Sequence, residues 1–299
     1  MKTLTLNSYA KLNLYLSVGP ARADKFHSIQ TIFERIDLCD RITVARRQDS
    51  RMVFHCSDSR LPRGRGNLAV RAAMSLIRKY APGQGVNIKL VKRIPAGAGL
   101  GGGSGNAATV LVGLNELLGL GLSVGQLCNL ANEIGSDVAF FVHNCRFATG
   151  KGRGERIKPV PGLARRLLWH VIAVPNVHVS TPRIYRHWDK LRANKKIDTS
   201  RLTSPAYDAK LILLALKRNK GCSFELPLFN SLEPVTTDLY PAVRAVKQAL
   251  AAVGLKNILM SGSGSSFFGI VSSRKEAVDF SRKLKKSHRL WRIFVAKTV

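Results

Sequence analysis

A chain of 299 residues, 45% hydrophobic and 22% charged, carries enough apolar material for a sizeable core and, at roughly 100–200 residues per domain, has room for two domains. Five cysteines (Cys39, Cys56, Cys128, Cys145, Cys222) without a CxxC pair, no apolar run approaching the ~18 residues of a membrane span, and an N-terminus that alternates polar and apolar residues exclude a disulfide scaffold, a zinc ribbon and a membrane span, and predict a reduced, cytoplasmic protein. With 48 Lys+Arg against 18 Asp+Glu the net charge is +30, which calls for anionic partners.

That excess is spread along the chain. Residues 41–71 carry eight basic and two acidic side chains, 183–220 eleven and three, and 271–299 nine and two. A nucleic-acid binder concentrates its charge in one stripe, so this pattern fits a solvated surface with incidental polyanion binding.

In chain order, residues 4–18 alternate with period two. Leu4, Leu6, Ala10, Leu12, Leu14, Leu16 and Val18 share one face, and Thr5, Asn7, Tyr9, Lys11, Asn13, Tyr15 and Ser17 the other, which predicts a half-buried strand. Further strands are expected over Ile29–Ile36, Ile42–Val44, Met52–His55 and Val86–Ile94, the last stopped by Pro95. Helical spacing marks Asn67–Tyr80, the segment after the glycines of 97–105, and Ser123–Glu133. A strand-and-turn stretch, Arg146–Ile157, leads to the apolar run Leu167–Val174, where the domain boundary is expected. The second half should then hold a helix near 207–218, a helix Leu239–Val253 closed by Gly254, strand Ile258–Met260, a glycine–serine loop, strand Phe267–Val271, helix 275–286 and strand Trp291–Ala296. This order predicts an α+β architecture in both halves.

Between a strand and an amphipathic helix lies the run from Pro95 to Ala108, with six glycines in the nine positions 97–105. Glycines let backbone N–H groups approach a ligand closely, and the helix that follows adds the positive end of its dipole, so phosphate is the natural ligand. A plain turn needs only one or two glycines. The Walker A pattern GxxxxGK[ST] is absent, and although Gly97, Gly99 and Gly102 satisfy GxGxxG, no acidic residue ends a second strand some 20 residues on. A second loop, Ser261-Gly-Ser-Gly-Ser-Ser266, reads alone as a hairpin turn and together with the first as a clamp on a nucleotide. The seven histidines show neither HExxH nor paired spacing, so no protein metal site is expected.

Six motifs in order, Tyr9-Ala-Lys-Leu-Asn-Leu-Tyr-Leu16, Arg22-Ala-Asp-Lys-Phe-His27, Gly64-Arg-Gly-Asn-Leu68, the 95–108 loop, Gly135-Ser-Asp-Val-Ala-Phe-Phe141 and Ser261-Gly-Ser-Gly-Ser265, resemble the GHMP kinase superfamily over nearly the whole chain. Within it they are most similar to the branch acting on a cytidine-diphosphate-linked methylerythritol. The resemblance implies an N-terminal domain, 1–165, of the ribosomal protein S5 domain 2-like type, and a ferredoxin-like α/β sandwich over 166–299. It also implies ATP-dependent phosphorylation of that polyol's 2-hydroxyl, in the non-mevalonate route to isoprenoid precursors, by a monomer or weak homodimer. Ala139 in place of a usual proline, Gly105 in place of serine and Ser231 in place of an acidic residue depart from the family pattern.

By resemblance, Asp137 accepts the hydroxyl proton, with Lys11 keeping it ionised and polarising the acceptor oxygen; Lys11 projects on the same strand face as Asn13. The ordinary alternatives are a solvated strand lysine and an N-cap for Val138–Val142. Phe26 and Tyr185 resemble rings that stack cytosine, His27 the reader of its edge, and Thr181 a further substrate contact. Asn13, Gly262, Ser263 and Gly264 are assigned to the substrate side as well. On the ATP side stand Asn67, Lys92, Pro95, Gly97, Gly99, Leu100, Gly101, Gly102, Gly103, Ser104 and Gly105, with Mg2+ held by phosphate oxygens and water. Two other readings remain: a homoserine- or mevalonate-type kinase, and a basic nucleic-acid-binding protein on the same fold.

Overall fold

The computed structural model describes residues 2–24, 26–193, 209–218 and 226–299. Residues 207 and 208 of an expected helix, and Cys222, lie outside the described residues; Cys39, Cys56, Cys128 and Cys145 are free thiols. No helix among the described residues is long and apolar enough to cross a membrane.

Two long strands form the spine. β1 (Thr3–Ala21) pairs antiparallel with β2 (His27–Arg46), and β2 runs unbroken where two strands were expected, with register shifts between Tyr9 and Ala10 and between Asn13 and Tyr15. One stretch of β2 carries β4 (Val86–Val91), which pairs parallel with β3 (Met52–Cys56); another carries β5 (Phe147–Gly152), which pairs with β6 (Arg156–Pro159). Four helices cover this sheet: α1 (Leu68–Tyr80), α2 (Gly102–Leu118), α3 (Val124–Ile134) and α4 (Val138–Val142). Local sequence explains their starts. Asn67 caps α1 by accepting from Ala69 N, and Ser123 with Gln126 forms a reciprocal capping box on α3. Between sheet and helices sits one core, from Ile42, Ile88 and Leu90 to Leu76, Leu111, Leu114 and Phe140.

A second sheet, ordered β11 (Arg292–Lys297), β7 (Trp169–Val174), β10 (Phe267–Val271), β9 (Asn257–Met260), is antiparallel throughout. The remaining elements are α5 (Thr181–Ala193), α6 (Ala209–Arg218), the short β8 (Phe229–Asn230), α7 (Glu233–Leu239), α8 (Pro241–Ala252) and α9 (Arg274–Ser287). Neither α5, α7 nor β8 was expected, and the predicted helix Leu239–Val253 begins at Pro241. A division near residue 166 remains our proposal for the domain limits. Two threads cross it: β8 lies parallel to β1 in the first sheet, and Thr298 bridges to Ile36.

Three differences from the sequence reading matter for the site. In its middle, β1 is buried on both faces, so Lys11 and Asn13 are each 3% exposed. Helix α2 begins at Gly102, which leaves only residues 97–101 of the glycine stretch as loop. And the second sheet packs directly beneath the first: Leu12, Leu14, Ile32 and Ile36 share a core with Ile172, Val174 and Phe268.

Inside that shared core lies a polar pair. Glu34 of β2 and His170 of β7 are fully buried, with Nε2 donating to Oε1 at 2.8 Å, and Thr298 Oγ1 donates to the same oxygen at 2.6 Å. Removing one member of such a pair strands a charge or dipole in apolar surroundings, whereas replacing both with apolar groups is often neutral. His170→Leu should therefore lower stability by about 3–5 kcal/mol, and Glu34→Leu with His170→Leu should recover most of that loss. Urea midpoints at unchanged m-value measure both, and a double variant as unstable as the sum of the single ones would contradict this reading.

Candidate active site

The two glycine loops are joined to each other. Ser261 Oγ donates to the Gly99 carbonyl at 3.0 Å, and Ser266 donates to the Ala98 carbonyl through both its N–H (3.2 Å) and its Oγ (2.6 Å). Gly99 has φ +77°, and a Cβ there would sit 2.0 Å from the Ser261 carbonyl oxygen, so no other residue fits at this spacing. The second loop is the hairpin turn linking β9 to β10 and is also the first loop's partner. The two loops therefore meet each other directly and share one outer surface. Asn230, at the end of β8, holds the hairpin by donating to the carbonyls of Met260 and Gly262, each at 2.8 Å.

Their common surface borders a cleft of about 770 Å3 reached by Gly97, Gly99, Gly101, Gly262, Ser263 and Gly264. Gly101 is the N-cap of α2 with φ +68°, has no side chain to satisfy the helix's first N–H groups, and accepts only from Gly105 N at 2.8 Å. An uncapped N-terminus on a 17-residue helix presents N–H donors and a positive dipole end, which suits phosphate oxygens. Among the other members of the motif, packing fixes Gly102 and Gly105, while Gly103 and Ser104 stand at the accessible start of α2. Gly102 faces inward, where a Cβ would meet Ile94 at 2.9 Å; Gly105 lets α2 approach β1, a Cβ there falling 2.7 Å from the Tyr9 carbonyl; Gly103 is exposed; Ser104 is partly exposed; and Pro95 and Leu100 are buried. The family's usual serine would not fit at position 105 at this helix–strand spacing.

Asn67 and Lys92 use their polar groups on the same scaffold. Asn67 caps α1, and Lys92 Nζ pairs with Asp40 at 2.5 Å and donates to the Ile94 carbonyl. Asp40, fully buried, also accepts from the backbone of Arg93 and Ile94 and from Asn106. That cluster fixes the entry into the glycine loop; in the sequence Asp40 fell between two expected strands and carried no signal.

At the floor of the cleft, Lys11 Nζ donates to Asn13 Oδ1 at 2.5 Å and lies 3.5 Å from Asp137 Oδ2. Asn13 in turn donates to Thr31 Oγ1 at 2.8 Å, which orients its amide. Burial lowers the Lys11 pKa, and the charge of Asp137 opposes that shift. The lysine is thus no solvated strand side chain. Asp137 stands at the N-cap position of α4 but makes no capping bond, and its carboxylate, 30% exposed, faces the cleft. Space for the ammonium comes from two glycines: a Cβ on Gly101 would meet the Lys11 stem at 2.8 Å, and one on Gly262 would sit 3.4 Å from Nζ.

Phe26, His27, Thr181 and Tyr185 line the same cleft. Phe26 is 51% exposed, which removes it from the core. His27 is buried, its Nε2 donating to Asp189 Oδ1 at 2.8 Å, with Tyr185 4.9 Å away ring to ring and Trp188 edge-on at 5.3 Å. Burial raises the Tyr185 phenol pKa, and the charge of Asp137 adds to the shift, which ties this ring electrostatically to the catalytic candidates. Thr181 Oγ1 and Ser263 Oγ lie 2.7 Å apart, joining α5 to the hairpin. Sequence reasoning missed Asp189, Arg153 and His178; the last packs 3.1 Å from where a Gly97 Cβ would be. Of the two other departures from the family pattern, Ala139 sits comfortably as a buried residue in the first turn of α4, and Ser231 Oγ accepts from Val18 N at 3.1 Å.

Comparison with known proteins gives the family. The family model for the GHMP kinases N terminal domain matches residues 67–145, and that for the GHMP kinases C terminal domain matches 212–289. A 4-diphosphocytidyl-2-C-methyl-D-erythritol kinase of Moorella thermoacetica is 39% identical over 288 residues, 96% of this chain and 97% of the relative. Among solved structures, a 4-(cytidine 5'-diphospho)-2C-methyl-D-erythritol kinase superposes with a TM-score of 0.78 at 36% identity, covering 98% of both chains. A homoserine kinase from Cytophaga hutchinsonii shares the fold at TM-score 0.73 but only 21% identity, over 100% of this chain and 95% of its own. With both GHMP domain models matched and near-full-length identity well above 30%, this chain belongs to the 4-diphosphocytidyl-2-C-methyl-D-erythritol kinase family of the GHMP kinases.

Proposed function

We propose that the chain transfers the γ-phosphoryl group of ATP to the 2-hydroxyl of 4-diphosphocytidyl-2-C-methyl-D-erythritol, releasing ADP. The observation that carries this reading is one cleft bordered by an uncapped helix N-terminus, a buried lysine beside a carboxylate, an exposed ring and a tyrosine–histidine pair. Phosphoryl transfer needs little covalent help, so the protein's work is alignment and charge stabilisation. Asp137 accepts the hydroxyl proton as the alcohol oxygen forms its bond to the γ-phosphorus and the bond to the ADP oxygen breaks. Lys11, held by Asn13 and Asp137, keeps that carboxylate ionised and stabilises charge on the transferring oxygens.

The N–H groups at the start of α2 cradle the phosphates. Mg2+ enters with the nucleotide, its coordination supplied by phosphate oxygens and water; among the described residues no cluster of three His, Cys, Asp or Glu side chains could hold a metal by itself. At the other end, cytosine stacks between Phe26 and Tyr185. His27 Nε2 is taken by Asp189, which leaves Nδ1 as the ring atom for a cytosine edge group. A homoserine or mevalonate kinase has no use for that set. A cytoplasmic setting and a monomeric or weakly dimeric state complete the proposal.

An ADP-release assay with the cytidine diphosphate substrate, homoserine and mevalonate side by side should give turnover with the first alone; turnover with either of the others in its place would overturn the assignment. Asp137→Asn should retain fold and ATP binding while kcat falls by roughly 10²–10⁴-fold, and turnover within threefold of the parent would remove its assigned role. Phe26→Ala should leave stability within about 0.5 kcal/mol, since the ring is half exposed. It should also raise the substrate Kd about 5- to 150-fold, the worth of one base–aromatic stack. Calorimetry and urea unfolding check the pair, and a large stability loss with unchanged affinity would return Phe26 to the core.

A further inference from the structure

The turn from β5 to β6 reads Gly152-Arg153-Gly154-Glu155, and its shape is tightly determined. Gly152 and Gly154 have φ of +76° and +109°; a Cβ on the first would sit 2.6 Å from the Glu155 carboxylate, and one on the second 3.1 Å from Ile29. That same position on Gly154 lies 3.8 Å from Asp137 Oδ1, so the turn borders the catalytic carboxylate. Between these glycines, Arg153 extends along the cleft wall with its guanidinium carbon 5.0 Å from the centroid of Phe26.

This guanidinium has no carboxylate within ion-pair distance among the described residues. Glu155, its neighbour in sequence, accepts the Arg153 backbone N–H instead, and Asp24 is paired with Arg22 at 3.2 Å. Of the other cations lining the cleft, Lys11 is already engaged by Asn13 and Asp137, and Arg186 stands on α5 beside Tyr185. A half-buried guanidinium on this glycine-flanked turn therefore lines the same cleft as the ring that stacks the base and the carboxylate that meets the hydroxyl. In the substrate, those two ends are joined by a diphosphate.

We infer that Arg153 binds this diphosphate through its guanidinium fork and so sets the distance between the cytosine pocket and the reacting hydroxyl. The inference rests on the substrate assignment above. A planar guanidinium matches two phosphate oxygens at once, and the Phe26 face holds its plane in the cleft. Arg153 also makes the site discriminate between a nucleoside and its diphosphate, which the aromatic rings alone do not.

Calorimetry with free cytidine and free cytidine diphosphate tests this without turnover. Arg153→Met should weaken cytidine diphosphate about 10- to 100-fold, the worth of hydrogen bonds to a charged group, while leaving cytidine and ATP affinity within about twofold. Arg153→Lys, which keeps the charge but loses the fork, should recover part of the diphosphate affinity. Equal weakening of cytidine and cytidine diphosphate would show that Arg153 only steadies the Phe26 ring, and no weakening of either would remove it from the site; both overturn the inference while leaving the substrate assignment intact. A parent protein that binds neither ligand would instead overturn the substrate assignment, and this inference with it.

Discussion

An ammonium group held out of water beside a carboxylate is the constraint around which this molecule is arranged. Lys11 sits in the middle of the longest hairpin, 3% exposed, and burial works against its charge while Asp137 works for it. Such a group persists only where its donors are met and its position is over-determined. Here Asn13 and Asp137 meet them, Thr31 orients Asn13, and the stem lies along a glycine that could carry no side chain. The same lysine's backbone N–H donates to the Leu100 carbonyl at 3.0 Å, so the strand that carries the ammonium also positions the glycine loop.

From that constraint the contact between the two halves follows. Gly99 and Ser261 approach so closely that their backbones interlock, and the hairpin of the second sheet closes over the lysine of the first. Below, an apolar core and the buried Glu34–His170 pair hold the sheets in a fixed relation. The cleft is lined from both halves, by Lys11, Asn13, Phe26, Gly101 and Asp137 from the first and by α5 and the 262–264 hairpin from the second. Domain seams are common places for such sites because each wall can be shaped independently.

Much of this was legible in the sequence, and the failures have physical reasons. Period two placed Lys11 and Asn13 on one face of a strand correctly, but burial of that face depends on residues 100 and 262, which no local pattern reveals. The glycine run announced a loop that borders the cleft. Which glycines face the cleft and which serve packing is set by Ile94 and the Tyr9 carbonyl, contacts distant in sequence. Helix α5 went unseen because only Ile184 and Trp188 are buried among its 13 residues, too sparse an apolar stripe to register; with it went Asp189, the partner of His27. In α7, Pro234 stands in the first turn, where proline fits, yet in sequence it reads as a break. Arg153 was one basic residue among 48, and only the fold sets it against Phe26.

The central claim is that the lysine–carboxylate pair and the aromatic–histidine set serve the two ends of one substrate in one cleft. A crystal structure of the protein with 4-diphosphocytidyl-2-C-methyl-D-erythritol and a non-hydrolysable ATP analogue measures this directly. The account predicts the 2-hydroxyl within hydrogen-bond distance of Asp137, the γ-phosphate between that oxygen and the start of α2, and cytosine between Phe26 and Tyr185. A substrate seated with its cytosine away from these rings, or its 2-hydroxyl out of reach of Asp137, would contradict it.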